Sequence, residues 1–203
     1  MATMANEIRA KLVQQLRART GAGMMDCKKA LEEAAGDTDK AEEILRVRFA
    51  AKADKRAARA AAEGVIEVYV HFNGRVATMV ELNCETDFVA RNEEFRQLAR
   101  DLALHVTSAR PLVVRVEDLP PDVVAREHRI FEQQLADEKK PDAVKDKIIQ
   151  GRLQKFFEET VLLQQKFVKN DAVTVGDLVR EFAAKTGENV VVRRFARFEL
   201  GGG

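Results

Sequence analysis

Few residues in this chain could carry out chemistry. Cys84 and His71 could act as nucleophile and base, because both lie in one stretch that reads as a hairpin. A Cys–His pair also needs an orienting group and oxyanion donors, and nothing stands at a recognisable spacing to supply them. Glu85 and Asp87 could form a carboxylate pair, but two acids on one loop are common. Gly21-Ala22-Gly23 lacks the further glycine and the Lys-Ser/Thr of a phosphate-binding loop. Cys27 and Cys84 are the only cysteines, and they lack metal-ligand spacing. Two thiols in a chain this long point to a reducing cytosol and to buried, inert side chains. No catalytic residue, metal site or cofactor is expected, and the chain does not read as an enzyme. What remains is recognition.

The stretch best suited to recognition is Asn83-Cys84-Glu85-Thr86-Asp87-Phe88-Val89-Ala90-Arg91-Asn92. Before it, β-branched residues alternate around Asn73-Gly74, a strong hairpin signal. After it, Phe95, Leu98, Leu102 and Val106 recur at helical spacing, with Asn92 as N-cap and Glu93 and Glu94 in the first turn. An apolar pair, Phe88 and Val89, is thus held between Asp87 and Arg91 on an anchored connector, as in a binding loop. The alternative is that Phe88 and Val89 open the helix and point into the core, the usual fate of large apolar residues.

The elements around this stretch predict an α+β fold. Ile8, Leu12 and Leu16 mark the face of a first helix, stopped by Gly21-Ala22-Gly23. Cys27, Ala30, Leu31 and Ala34 line a second helix ended by Gly36 at C′. Asp37 opens a third, with Ala41, Ile44 and Leu45 inward. These helices make a small N-terminal bundle over residues 1–50, near the lower size limit for a folding unit and without room for a catalytic cleft. Adjacent helical residues sit about 100° apart, so one of Met24 and Met25 must turn away from the bundle core. Residues 51–63 read as a basic, Ala-rich linker or solvated helix. Lys52, Lys55, Arg56 and Arg59 are taken as a solvated run rather than a nucleic-acid site.

The core is expected over residues 64–203. A two-residue turn at Asn73-Gly74 puts Ile66, Val68, Val70, Ala77 and Met79 on one sheet face. Val65, Tyr69, Val76, Val80 and Leu82 then share the other. Both faces are partly apolar, so either the sheet is covered on both sides or the turn is longer. Pro111 ends the central helix. An antiparallel helical hairpin follows at about residues 121–163, broken at Lys139-Lys140-Pro141, with its stripes buried on each other or on a second copy of the chain. Thr174 and Asp177 form a capping box for a last helix closed by Gly187. A strand over residues 190–200 then completes the sheet.

Composition reads as that of an ordinary soluble protein rich in exposed helix. The 203 residues are 46% hydrophobic and 33% charged with formal net charge +1, so no global field draws nucleic acid or an anionic membrane. No apolar run approaches the roughly 18–20 residues of a membrane span. The polar start (Asn6, Glu7, Arg9) does not read as a signal peptide, and a cytoplasmic location is expected.

Two motifs carry a resemblance. Thr86-Asp87-Phe88-Val89-Ala90-Arg91-Asn92 resembles the signature loop of the translation elongation factor Ts family. Leu16-Arg17-Ala18-Arg19-Thr20-Gly21-Ala22-Gly23-Met24-Met25-Asp26-Cys27-Lys28-Lys29-Ala30-Leu31 resembles that family's opening motif. The resemblance extends over essentially the whole chain. It implies a guanine-nucleotide exchange factor for elongation factor Tu, with a UBA-like N-terminal bundle. Thr86, Asp87, Phe88 and Val89 would enter the partner near the nucleotide's magnesium. Met24, Met25, Lys28, His71, Arg91, Phe167 and Val168 would be further contacts, with Thr86 and Arg91 also holding the loop in shape. Longer members carry a duplicated core and an extra C-terminal module, whereas this chain has one core and ends just after Phe198-Glu199-Leu200. Short members work as homodimers. A homodimer and a 2:2 complex are therefore expected, joined through the C-terminal strand region or the helical hairpin. Gln165-Lys166-Phe167 stands where the family has Gln-Pro-Phe. The rival reading is a non-exchanging module whose N-terminal bundle recognises another protein or RNA.

Overall fold

The computed structural model describes residues 2–20 and 22–202, with side chains for 10–20, 22–48 and 56–202. Gly21 and Gly203, and the side chains of Ile8, Lys52 and Lys55, therefore lie outside the described residues. The fold is α+β, with three helices followed by a small antiparallel sheet and its covering helices.

The N-terminal bundle is formed by α1 (Ala2–Thr20), α2 (Met24–Glu33) and α3 (Thr38–Ala57). Leu16, Ala22, Cys27, Ala30, Leu31, Ala41 and Leu45 make its core, with Leu12 and Ile44 partly buried against it. Asp37 caps α3, its carboxylate accepting from the Asp39 and Lys40 amides at 3.1 Å each. The end of α2 differs from expectation. Ala35, not Gly36, takes the left-handed C′ position (φ 51°), and the Gly36 amide reaches back to the Leu31 carbonyl. The glycine stands one place later, at C″.

The sheet has the order β1-β2-β5, all antiparallel, with β2 central. β1 (Glu63–Val70) and β2 (Val76–Cys84) form the hairpin, and β5 (Val191–Glu199) adds on the far side. Val70 faces Ala77 and Glu63 faces Cys84, which is the register that a two-residue turn at Asn73-Gly74 would set. The turn itself is longer. The His71 amide donates to the Val76 carbonyl, the Gly74 amide donates to the His71 carbonyl, and residues 72–75 form the loop. Gly74 has positive φ but Asn73 does not, so the two-residue primed turn is not adopted. Asn73 Oδ1 instead accepts from the Arg75 amide.

Helix α4 (Asp87–Ala90) and helix α5 (Glu93–Ala109) follow the hairpin. Helices α6 (Pro121–Leu135) and α7 (Asp142–Thr160) form the helical hairpin. It is thinly buried: Leu135 and Ile149 are enclosed, while Ile130 and Val144 remain exposed. A two-stranded ribbon, β3 (Lys166–Phe167) with β4 (Asn170–Thr174), is an element that sequence periodicity did not reveal. Helix α8 (Val175–Thr186) begins at the expected Thr174–Asp177 capping box and ends at left-handed Gly187.

Val80, Leu82 and Cys84 of the inner sheet face pack with Phe95, Leu102 and Val106 of α5 and with Val179 and Phe182 of α8. His105 lies inside this layer. The Val168 amide donates to its Nδ1 at 3.2 Å, which leaves the proton on Nε2 to donate to Gln165 Oε1 at 3.0 Å. Burial holds its pKa below the ordinary histidine value, against an opposing effect of Gln165. The outer sheet face settles the question left open by its two apolar sides: Ile66, Val68, Val70, Met79 and Phe198 stay exposed. No helix among the described residues is long and apolar enough to cross a membrane.

Candidate functional site

The connector from β2 to α5 folds as a single helical turn, α4, between two side-chain caps. Thr86 is its N-cap, and Asn92 Oδ1 caps α5 by accepting from the Glu94 amide at 2.8 Å. One turn is too short to be stable alone, so what fixes it must come from outside. Ala90 is buried and Val89 packs partly against the core, which turns the opposite side of the helix outward. Phe88 lies on that side and is 82% exposed. Burial of Phe88 in the core is thereby excluded, while Val89 goes partway inward. Asp87 pairs with Arg91 at 2.9 Å, one turn on, so Arg91 shapes the same short helix.

The outside support comes from the turn between α8 and β5, about a hundred residues away in sequence. Glu188 Oε2 accepts from the backbone amides of Glu85 and Thr86, each at 3.1 Å. Its Oε1 accepts from the Thr86 hydroxyl at 2.6 Å. The reverse contact is also made: the Asn189 amide donates to Glu85 Oε1 at 2.6 Å. Asn189 Nδ2 then donates to the Arg59 carbonyl at 2.8 Å, and Arg59 reaches Glu85 Oε1 at 3.3 Å. Strand end, the α4 turn, the C-terminal turn and the tail of α3 therefore meet in one polar cluster. Neither Glu188 nor Asn189 was expected from sequence. The one available signal was an acid and an amide between a helix-ending glycine and a strand, which also fits an ordinary loop. Arg56 and Arg59 depart from the expected solvated run too: Arg56 is buried and Arg59 is part of this cluster.

The structure separates the residues considered for catalysis and set aside. Cys84 sits at the open end of the hairpin opposite Glu63, and His71 sits at the turn end. The nine-residue β2 keeps them roughly 27 Å apart. Burial, and then the nearby Glu188 charge, push the Cys84 thiol up to about 11, so it is not a thiolate at neutral pH. Glu85 is occupied by Arg59 and Asn189, and Asp87 by Arg91, so they do not act as a pair.

Met24 and Met25 open α2 and are 56% and 63% exposed, so both face outward, with Lys28 exposed one turn on. His71 is half-buried at the hairpin turn, its Nδ1 3.3 Å from the Tyr69 hydroxyl and its ring 4.4 Å from that of Phe72. Phe167, one of the contacts that the resemblance implies, lies in the core. It is 6% exposed and packs 6.0 Å from the His105 ring, because the β3–β4 ribbon turns it inward and presents Val168 instead.

The family model described as "Elongation factor TS" matches residues 1–202. The Elongation factor Ts of Carboxydothermus hydrogenoformans is 54% identical over 196 residues, covering 97% of this chain and 90% of the relative. That of Thermosipho melanesiensis is also 54% identical, over 194 residues, covering 96% and 99%. That of Thermotoga maritima is 51% identical over 197 residues, covering 97% and 98%.

If Glu188 holds the turn, Glu188→Gln replaces one acceptor oxygen with a donor facing backbone amides. The expected result is a loss of about 1–2 kcal/mol of unfolding stability, together with faster amide hydrogen exchange at Glu85 and Thr86. Unchanged exchange at those two amides would show that the turn holds itself.

Proposed function

Because the chain belongs to the elongation factor Ts family of translation elongation factors, we propose that it is a guanine-nucleotide exchange factor for elongation factor Tu. The observation that carries this reading is the exposure of Phe88 on a one-turn helix pinned from both sides. A rigid, exposed aromatic loses little conformational entropy on binding, and in a desolvated pocket such an anchor contributes about 2–4 kcal/mol. Phe88 is the wedge, entering between partner helices, with Val89 supporting it from the core side.

Asp87 is the anionic part of the device. Magnesium demands near-ideal octahedral oxygen geometry, and a carboxylate beside its water and carboxylate shell disturbs that geometry. A magnesium out of place holds the diphosphate poorly. No bond is made or broken by this chain; Asp87 and Phe88 favour a nucleotide-poor conformation of the partner, and GTP then binds. Thr86 and Arg91 hold the turn. Met24, Met25 and Lys28 form a second contact on the bundle, adaptable because methionine side chains repack easily. His71 and Val168 are further contacts, and Phe167 acts from the core by placing Val168. Neither a membrane nor a nucleic acid takes part, and the setting is the cytoplasm.

The partner set includes a second copy of this chain. Ile66, Val68, Val70, Met79 and Phe198 leave one sheet face apolar and uncovered, and a second identical face would bury it. The C-terminal strand β5 contributes Phe198 to that face, in line with one of the two expected routes. The assembly with the partner is then 2:2. The division of labour follows the two cores: a bundle at residues 1–50, a connecting segment at 51–63 and an α+β core at 64–203.

Two measurements check this reading. Release of fluorescent GDP from elongation factor Tu is expected to accelerate with the wild-type chain and to lose at least tenfold of that acceleration with Phe88→Ala, an exposed change that spares the fold. No acceleration by wild type would return the chain to the non-exchanging binding module. In light scattering after size exclusion, the wild type is expected at twice its chain mass and Val68→Glu at the chain mass; a monomeric wild type contradicts the dimer.

A further inference from the structure

A cavity of about 300 Å³ opens where the hairpin loop, the end of α5 and the end of β5 meet. Its charged lining is three arginines, Arg75, Arg110 and Arg197, against one carboxylate, Glu199. Glu199 accepts from Arg110 Nη2 at 3.1 Å and from Arg197 Nη1 at 2.8 Å. The Arg197 hydrogen bond, with the charges of Arg110, Arg197 and Arg75, holds its carboxyl below the usual range. Glu199 is thus ionised with both oxygens engaged, and three positive charges against one leave an excess of two.

Two arginines of this lining carry donors without an acceptor among the described residues. Arg197 has a side chain only 15% exposed; its Nε donates to the Thr107 carbonyl at 3.3 Å, but its Nη2 is buried without an acceptor. Arg75 stands on the exposed loop, and its guanidinium has no hydrogen bond or ion pair among the described residues. A buried guanidinium N–H without an acceptor is costly, and the arginine fork matches the oxygens of a phosphate group. The Ser108 hydroxyl lines the same cavity. The negative end of α5 points this way, yet the Thr107 carbonyl, which would repel an anion, is covered by Arg197.

We propose that this cavity binds a phosphate dianion, free or carried on a small molecule, between Arg75 and Arg197. The double negative charge matches the excess of two in the lining, which also includes the proposed partner contact His71.

The test is thermal unfolding of the full chain at constant ionic strength in chloride, titrated with inorganic phosphate or with AMP. Because phosphate also stabilises proteins by exclusion from their surface, the diagnostic feature is saturation. A saturable rise in Tm is expected. Phosphate acting alone would make the ligand the free ion, and AMP acting alone or at lower concentration would make it a phosphoryl group on a carrier. Arg75→Ala removes an exposed side chain that makes no hydrogen bond or ion pair among the described residues, and, with each protein measured against its own unliganded Tm, the half-saturating concentration is expected to rise about tenfold. A Tm that does not rise, rises without saturating, or responds equally in Arg75→Ala overturns the proposal.

Discussion

The site depends on a two-way lock between residues 85–86 and residues 188–189. Glu188 takes two backbone amides and a hydroxyl at the start of the α4 turn, and Glu85 takes the Asn189 amide in return. Charge-assisted hydrogen bonds of this kind are about twice as strong as neutral ones, and four of them converge on one spot. A one-turn helix has no intrinsic stability to speak of. Without the lock, Phe88 would sit on a mobile connector and would have to be ordered on binding, at a cost taken from affinity. The lock ties the turn after α8 to a loop about a hundred residues earlier in the chain.

The same cluster reaches the N-terminal bundle. Asn189 and Glu85 hold the chain at Arg59, just past the end of α3. Helix α3 runs without interruption from the bundle core to Ala57, so the exposed Met24-Met25 face is tied, through one helix, to the anchor of the Phe88 turn. Two separate hydrophobic cores are thus joined by polar contacts at one end of a helix. Contacts made by two modules on one partner gain from such a fixed link, because the second contact is then intramolecular.

Much of this was legible in the residues. The alternation around Asn73-Gly74 set the hairpin register, the helical spacing from Phe95 to Val106 set α5, and Thr174 with Asp177 set the start of α8, because each signal is local. What was not legible depended on tertiary context. Whether Phe88 was buried could not be decided from spacing, since an apolar residue in the first turn of a helix fits either side. The Asn73-Gly74 turn kept its register while lengthening its loop, a change invisible to side-chain alternation. The burial of Phe167 could not be read from spacing, because the β3–β4 ribbon that turns it toward His105 is two short strands with no clear period. Glu188 and Asn189 could not be found at all, because their partners are distant in sequence and their types are ordinary in loops.

In the proposed function, a pinned, exposed aromatic beside a carboxylate favours a nucleotide-poor partner. Thermodynamic linkage makes this testable without rates. The most direct measurement is the affinity of this chain for elongation factor Tu, once free of nucleotide and once saturated with GDP. The expected result is tighter binding to the nucleotide-free form, by the same factor by which the chain weakens the partner's hold on GDP. Equal affinities for the two forms would contradict the claim, because a protein that binds both states alike shifts neither.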